Sequence, residues 1–93
     1  METTCFEIWA LGYDKGGFCT GFEKYLGEYA TSEYAIEEAK KLQTLEDVVS
    51  PYFAQQLRSR GEYVTVAVEE TVTCEDPEDG TECVDVLFAT DLY

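Results

Sequence analysis

The sequence predicts an α+β fold, in which an antiparallel four-stranded sheet carries one or two helices on one face in the order ββααββ. Near both ends of the sequence, apolar residues recur at every second position, the period of a strand. The middle of the sequence shows helix-capping residues and a 3.6-residue period instead. With 93 residues, 45% of them hydrophobic, residues 1–93 are expected to form a single compact domain with one core.

The first two strands are predicted from an alternating segment and its return. In residues 3–13 one set of alternate side chains is Phe6, Ile8 and Ala10, and the other is Cys5, Glu7, Trp9, Leu11 and Tyr13. The glycines of DKGGFCTG supply a turn, and residues 21–29 form the returning strand. These residues therefore predict a β-hairpin.

The next segment, TSEYAIEEAKKLQ, predicts an amphipathic helix. Thr31 or Ser32 is a suitable N-cap, and two lysines in the last turn complement the helix dipole. The apolar stripe of this helix is Ala35, Ile36, Ala39 and Leu42.

A second, shorter helix is predicted around residues 51–60. Thr44 and Asp47 form a capping-box-like pair before it. Ser50 and Pro51 suit the N-cap and N1 positions, and Gly61 suits the C-terminal stop.

Two further strands follow, joined by the turn sequence EDPEDGTE. In the third strand, Val64, Val66, Val68 and Val72 are predicted to share one face. In the fourth, Val84, Val86 and Phe88 alternate with Cys83, Asp85, Leu87 and Ala89. Cys74 and Cys83 are equidistant from the turn, so they could face each other across the ladder.

The residue types give little support for a metal, a cofactor or catalysis. The chain has four cysteines, Cys5, Cys19, Cys74 and Cys83, but no C-x-x-C pair and no histidine, so reduced thiols are favoured over disulfides or zinc. If Gly80 occupied the glycine position of an EF-hand loop, Val86 would stand where a bidentate Glu is required. Without histidine a serine or cysteine nucleophile lacks its usual base. A non-enzymatic protein without a cofactor or resident metal is expected.

Charge is the strongest functional signal. Twenty acidic residues against six basic residues give a net charge of −14. This charge disfavours direct contact with nucleic acid or anionic membranes and attracts cationic protein surfaces. No apolar run approaches the ~20 residues of a membrane helix, and METTCFEIWALGYDK lacks the basic region of a signal peptide. A cytoplasmic protein is expected.

The carboxylates concentrate on the predicted second hairpin, because residues 61–93 contain ten acids and no base. We call the following residues the acidic arm: Glu69, Glu70, Glu75, Asp76, Glu78, Asp79, Glu82 and Asp85. An arm of roughly 30 Å would carry one charge per about 4 Å, close to the 3.4 Å spacing of phosphates along a DNA strand. The alternative is a solvated turn whose charges serve solubility only.

A second candidate contact surface is the apolar set Trp9, Leu11 and Tyr13 on the first strand. The chain's own loops are the favoured cover for this set, and the alternatives are an apolar contact patch and a homodimer face.

In size, net charge, lack of histidine and the base-free stretch 61–93, the sequence resembles small acidic proteins that phages and mobile elements use against host defences. These are the anti-CRISPR and antirestriction proteins of the DNA-mimic type. The resemblance is one of type, with no motif matched residue by residue, so no site residue is carried over. It implies an inhibitor that occupies the basic nucleic-acid channel of a CRISPR effector or restriction enzyme. The alternative is an adaptor domain that binds protein through the Trp9 and Tyr13 surface.

Overall fold

The computed structural model describes the backbone of residues 2–74 and 82–93 and the side chains of residues 4–72 and 84–93. The strands are β1 (Glu2–Tyr13), β2 (Cys19–Tyr29), β3 (Tyr63–Cys74) and β4 (Glu82–Leu92). The helices are α1 (Ser32–Lys40) and α2 (Pro51–Ser59), with a 3-10 turn at Leu45–Asp47 between them. The predicted α+β class and the order ββααββ are confirmed.

The four strands form one antiparallel sheet in the order β2-β1-β3-β4. β1 pairs with β2 on one side and with β3 on the other, and β2 and β4 are the edges. The strand that comes first in the sequence is therefore central in the sheet.

Both helices pack against the same face of this sheet. The shared core contains four small or apolar residues from the helices, Ala35, Ala39, Ala54 and Leu57. It also contains six residues from the strands, Ile8, Ala10, Val64, Val66, Val68 and Leu92. Alanine at three of the four helix positions allows the helix backbones to approach the sheet closely. As predicted, Ile8 and Ala10 share one face of β1, and Val64, Val66 and Val68 share one face of β3.

Side-chain caps fix where the helices begin. Thr31 Oγ1 accepts a hydrogen bond from the Tyr34 backbone N–H at 3.2 Å, and Ser50 Oγ accepts one from the Phe53 backbone N–H at 3.2 Å. Of the two predicted caps for α1, Thr31 is therefore the one used.

The predicted Thr44–Asp47 pair is present as a capping box on the 3-10 turn. The Asp47 carboxylate accepts hydrogen bonds from the backbone N–H groups of Gln43 and Thr44 at 2.8 and 3.0 Å. These bonds, first the one from Gln43, hold the pKa of Asp47 below its ordinary value.

Two glycines are required by local geometry. A Cβ on Gly12 would lie 2.6 Å from Thr20 Oγ1 and 2.8 Å from Phe22 Cβ, so only glycine permits this approach of β2 to β1. Gly61 has φ of +73°, a left-handed conformation that ends the α2 segment and turns the chain into β3.

The prediction that Val84, Val86 and Phe88 share one face of β4 is wrong. The register shifts between Val68, which pairs with Phe88, and Glu69, which pairs with Val86, so Leu87 is an extra residue in β4. Phe88 consequently lies on the helix side. Val84 and Val86 lie on the other face and are 49% and 59% exposed.

The register of this hairpin also leaves its two cysteines out of alignment. Cys83 is paired with Val72, so it does not lie opposite Cys74, although the sequence allowed that pairing; on its other side Cys74 is paired with Glu2 of β1. Their side chains, and the whole turn at 75–81, lie outside the described residues.

Within the described part of the chain, neither helix has the length and apolar character needed to cross a bilayer.

Candidate functional site

The face of the sheet opposite the helices, which we call the open face, is defined by strand register. Because directly opposed residues point to the same side of a sheet, the β1 residues that alternate with the buried Ile8 and Ala10 identify their neighbours on this face. Among the described side chains, those on the open face are Cys5, Glu7, Trp9, Leu11 and Tyr13 of β1, Cys19, Glu23, Tyr25 and Glu28 of β2, Tyr63, Thr65, Ala67, Glu69 and Thr71 of β3, and Val84, Val86, Ala89 and Asp91 of β4.

One row across the open face is made of glutamates. Glu7 of β1 is paired with Glu28 of β2 on one side and with Glu69 of β3 on the other. Adjacent strands lie about 4.8 Å apart, so the three backbones hold like charges in direct lateral succession. Like charges placed opposite each other in a sheet destabilise it.

The next row is aromatic and small. Trp9 is paired with Tyr25 on β2 and with Ala67 on β3. The rings of Trp9 and Tyr25 meet edge to face, with centroids 5.4 Å apart at 65°. Trp9 Nε1 donates a hydrogen bond to Glu7 Oε2 at 3.0 Å. The indole is therefore fixed both by a ring contact and by the neighbouring glutamate row.

Beyond the aromatic row the face is acidic again. Leu11 is paired with Glu23 on β2 and with Thr65 on β3, and Thr65 Oγ1 donates a hydrogen bond to Asp91 Oδ1 at 2.7 Å. Carboxylates thus flank the Trp9 row on both sides.

A tyrosine stack closes this end of the open face. The rings of Tyr13 and Tyr63 are stacked with centroids 5.8 Å apart, and the ring of Tyr93 lies 5.2 Å from that of Tyr63. Burial, followed by the charge of Asp91, raises the pKa of Tyr63. Tyr13 of the predicted apolar set is therefore part of this stack, whereas Trp9 and Leu11 lie among carboxylates.

Glu69 is the open-face acid with the most perturbed environment. It is half-buried, and burial is the first cause that raises its pKa above the ordinary value. The charges of Glu7 and Glu23 raise its pKa further. Its ionised form is thus disfavoured in the folded protein and has no basic neighbour to offset that cost.

All six basic residues lie within the described part of the chain, and none is on the open face. Five belong to the helix side. Lys24 Nζ donates to the Val48 carbonyl at 2.8 Å, Lys40 lies over the Phe88 ring, Lys41 pairs with Glu38, Arg58 pairs with Glu46, and Arg60 pairs with Glu62. Lys15 is in the β1–β2 loop, where its side chain lies 3.5 Å from the position that a Cβ on Gly61 would take.

The acidic arm is described only in part. Glu69 lies on the open face, whereas Glu70 and Asp85, which are paired with each other, lie on the helix side near the sheet's end. Glu75, Asp76, Glu78 and Asp79 lie outside the described residues, as does the side chain of Glu82. The described members of the arm are therefore divided between the two faces.

Two residues of the predicted apolar set, Trp9 and Leu11, meet one arm residue, Glu69, at a surface pocket. A pocket of about 260 Å³ is lined by Trp9, Leu11, Glu23 and Glu69. It brings together three strands and combines an apolar wall from β1 with carboxylates from β2 and β3.

A second group of donor atoms lies further along the open face. The Sγ of Cys5 and carboxylate oxygens of Glu7 and Glu28 lie within 4.8 Å of one another, and the Cys5 thiol donates to Glu7 Oε1 at 3.8 Å. Acidic groups of this kind are common on protein surfaces without an ion, and we assign no metal to it.

Sequence reasoning missed four residues of this site, namely Glu7, Glu23, Tyr25 and Glu28. The alternation of β1 placed Glu7 on the same face as Trp9, so Glu7 could have been predicted from the sequence. The residues of β2 that lie beside Glu7, Trp9 and Leu11 could not be predicted in this way, because the register between β1 and β2 shifts at two places.

Comparison with protein-family models, with curated proteins and with solved structures found no match to this chain.

Proposed function

We propose that the protein is a non-enzymatic inhibitor that binds a basic, nucleic-acid-binding surface of another protein through the carboxylates of its open face and its acidic arm. The observation that carries this proposal is the segregation of charge. Among the described side chains, the open face carries four glutamates around Trp9, while every basic residue is on the helix side or in a loop. A cationic partner surface would relieve a repulsion that the folded chain leaves uncompensated.

Within that class, we propose the nucleic-acid channel of a host defence nuclease, either a CRISPR effector or a restriction enzyme, as the target. Such a channel is built to neutralise phosphates spaced a few ångströms apart. The lateral spacing of Glu28, Glu7 and Glu69 is set by the strands at about 4.8 Å and falls in the same range. Occupation of the channel by these carboxylates would exclude DNA or a guide duplex, and the protein would act in the cytoplasm.

The second candidate is an adaptor that binds a protein through Trp9, Leu11 and Tyr13, with acidity serving solubility alone. The half-burial of these three residues and the exposed Val84 and Val86 on the same face favour it. The two candidates differ in their response to salt, because a charge-led complex weakens steeply as salt rises and an apolar complex does not.

The test is inhibition of DNA cleavage by purified CRISPR effector nucleases and restriction enzymes, with the protein added at ratios near one to one. Two double variants with the same net charge are compared. Glu23→Gln with Glu28→Gln removes two exposed charges from the open face, and Glu33→Gln with Glu37→Gln removes two exposed charges from α1.

We expect the α1 variant to inhibit like the wild type and the open-face variant to be weakened about tenfold, at roughly 0.7 kcal/mol per charge. Raising the salt concentration should weaken the wild-type complex further. Equal inhibition by the two variants would contradict charge-led binding through the open face. Inhibition that is insensitive to salt would favour the adaptor, and no inhibition of any nuclease would overturn the proposed target.

A further inference from the structure

The pocket between Trp9, Leu11, Glu23 and Glu69 has a composition that restricts what it can accept. One wall is an indole and a leucine side chain, and the remaining lining is two glutamates. Its volume of about 260 Å³ is below the range of about 300–1,000 Å³ typical of small-molecule sites. A single amino-acid side chain of a partner protein fits this scale better than a metabolite.

Charge complementarity selects the kind of side chain. An apolar side chain would remove Glu23 and Glu69 from water without giving either carboxylate a partner, which is costly. A divalent cation prefers six or more oxygen ligands, and half of this lining offers none. A long cationic side chain satisfies both halves, because its stem is apolar and its head is charged.

Between the two long cations, the geometry favours arginine. A guanidinium is planar, stacks on the face of an indole, and presents a fork of N–H donors to carboxylates. Lysine offers a strongly hydrated point charge that stacks less well. Trp9 is held in place by its hydrogen bond to Glu7 and its edge contact with Tyr25, so the stacking surface is formed before binding.

We propose that this pocket receives one arginine side chain of the partner, with the guanidinium against the Trp9 indole and its N–H groups bonded to Glu23 and Glu69. The proposal deepens the proposed function and rests on it, because it names the chemical group by which a basic surface is anchored. The raised pKa of Glu69 agrees with it, since a cation in the pocket would offset the burial and the neighbouring carboxylates that disfavour the ionised form.

The experiment uses short peptides as probes and needs no nuclease, so its failure is distinguishable from failure of the proposed function. Acetyl-Gly-Arg-Gly-amide is titrated at millimolar concentrations against the full chain. The matched control peptide replaces arginine with citrulline, which keeps the shape and removes the charge. Trp9 is the sole tryptophan, so its fluorescence and its indole N–H resonance report on this pocket alone.

We expect the arginine peptide to shift both Trp9 signals saturably and the citrulline peptide to leave them unchanged. Glu69→Gln should weaken binding at least fivefold, and Glu23→Gln, at an exposed position, should do the same. Glu37→Gln on α1 has the same net charge as either variant and should bind like the wild type.

Three results would overturn the proposal. The first is equal binding of the arginine and citrulline peptides. The second is wild-type affinity in Glu23→Gln, whose exposed position makes misfolding an unsatisfactory explanation. The third is a lysine peptide that binds as tightly as the arginine peptide, because the assignment depends on a planar guanidinium.

Discussion

The strands of the sheet send alternate side chains to two faces, and those faces differ in packing and in charge compensation. On the helix side Ile8, Val66 and Val68 are buried beneath α1 and α2, and the lysines and arginines of that side contact acids, a carbonyl oxygen or a ring. On the open face Trp9 is half-buried, and Glu7 lies between two further glutamates.

This difference assigns the stability of the fold to the helix side and leaves the open face for the proposed binding of a partner. The helix side contributes the large apolar burial that stabilises the domain, and its charges are paired locally. Repulsion between the glutamates of the open face destabilises the fold, and apolar burial in the core offsets that cost. A surface whose repulsion is relieved only by an external cation gains affinity from that relief, so the two faces respond differently to substitution.

The largest expected effect compares matched apolar residues of β1 on opposite faces. Ile8→Ala should lower the free energy of unfolding by about 3 kcal/mol, because Ile8 is 2% exposed within the core. Leu11→Ala should cost only about 1 kcal/mol, because Leu11 is half-buried on the open face. Urea denaturation followed by circular dichroism measures both. An equal loss in the two variants would mean that the open face carries as much of the core as the helix side.

An intermediate effect is expected from the α1 cap. Thr31→Ala removes the acceptor for the Tyr34 N–H and should destabilise the protein by about 1 kcal/mol. The fluorescence of Trp9 in the folded state should stay unchanged, since the indole lies across the sheet from α1. Thr31→Ser, which retains the hydroxyl, serves as the control. A changed emission spectrum in Thr31→Ala would show that the two faces are not independent.

The smallest effect on stability is expected from substitution of Glu69, and that substitution should stabilise the protein. The folded-state pKa of Glu69 is raised above the ordinary value of 4.5, so ionisation costs stability at neutral pH, and that cost disappears as the pH falls through the folded pKa. Glu69→Gln should therefore stabilise the protein by about 0.5 kcal/mol at pH 7, on the scale of one cross-strand charge pair, and have no effect near pH 4. Thermal unfolding at both pH values is the measurement.

Asp47 on the helix side provides the control of opposite sign. Its pKa is lowered below the ordinary 3.8, so its stabilising contribution is present above that pH and is lost as the pH falls through the folded pKa. Asp47→Asn should destabilise the protein at pH 7 and not in strong acid. If Glu69→Gln also destabilised at pH 7, the proposed repulsion on the open face would be wrong.

Most of the architecture was predictable because local signals specify it. The alternation of β1 and the cap and apolar stripe of α1 are read within a dozen residues, and each element lies within a few residues of its predicted bounds. Thr44 and Asp47 were predicted as a capping pair, and the 3-10 turn that they cap was not itself predicted.

The rest depended on pairings that local sequence does not encode. The extra residue Leu87 in β4 is defined only against β3, and it moved Val84 and Val86 to the open face. The glutamate row requires β1 to lie between β2 and β3, so Glu28 and Glu69 flank Glu7 only after the strand order is fixed. The base-free stretch 61–93 therefore contains only one of the four glutamates described on the open face, and Glu7, Glu23 and Glu28 lie outside it.

The central position of β1 has a consequence for how the chain reaches its native state. Its partners on β3 are about sixty residues away in sequence, so the loop-closure entropy must be paid before the middle of the sheet can form. Until β3 docks, the β1 edge of a β1–β2 hairpin presents a row of unpaired backbone groups, a template for pairing with another chain. The docking of β3 removes that hazard, and in the same step it places Glu69 beside Glu7, so formation of the sheet's centre and of its acidic row is a single event.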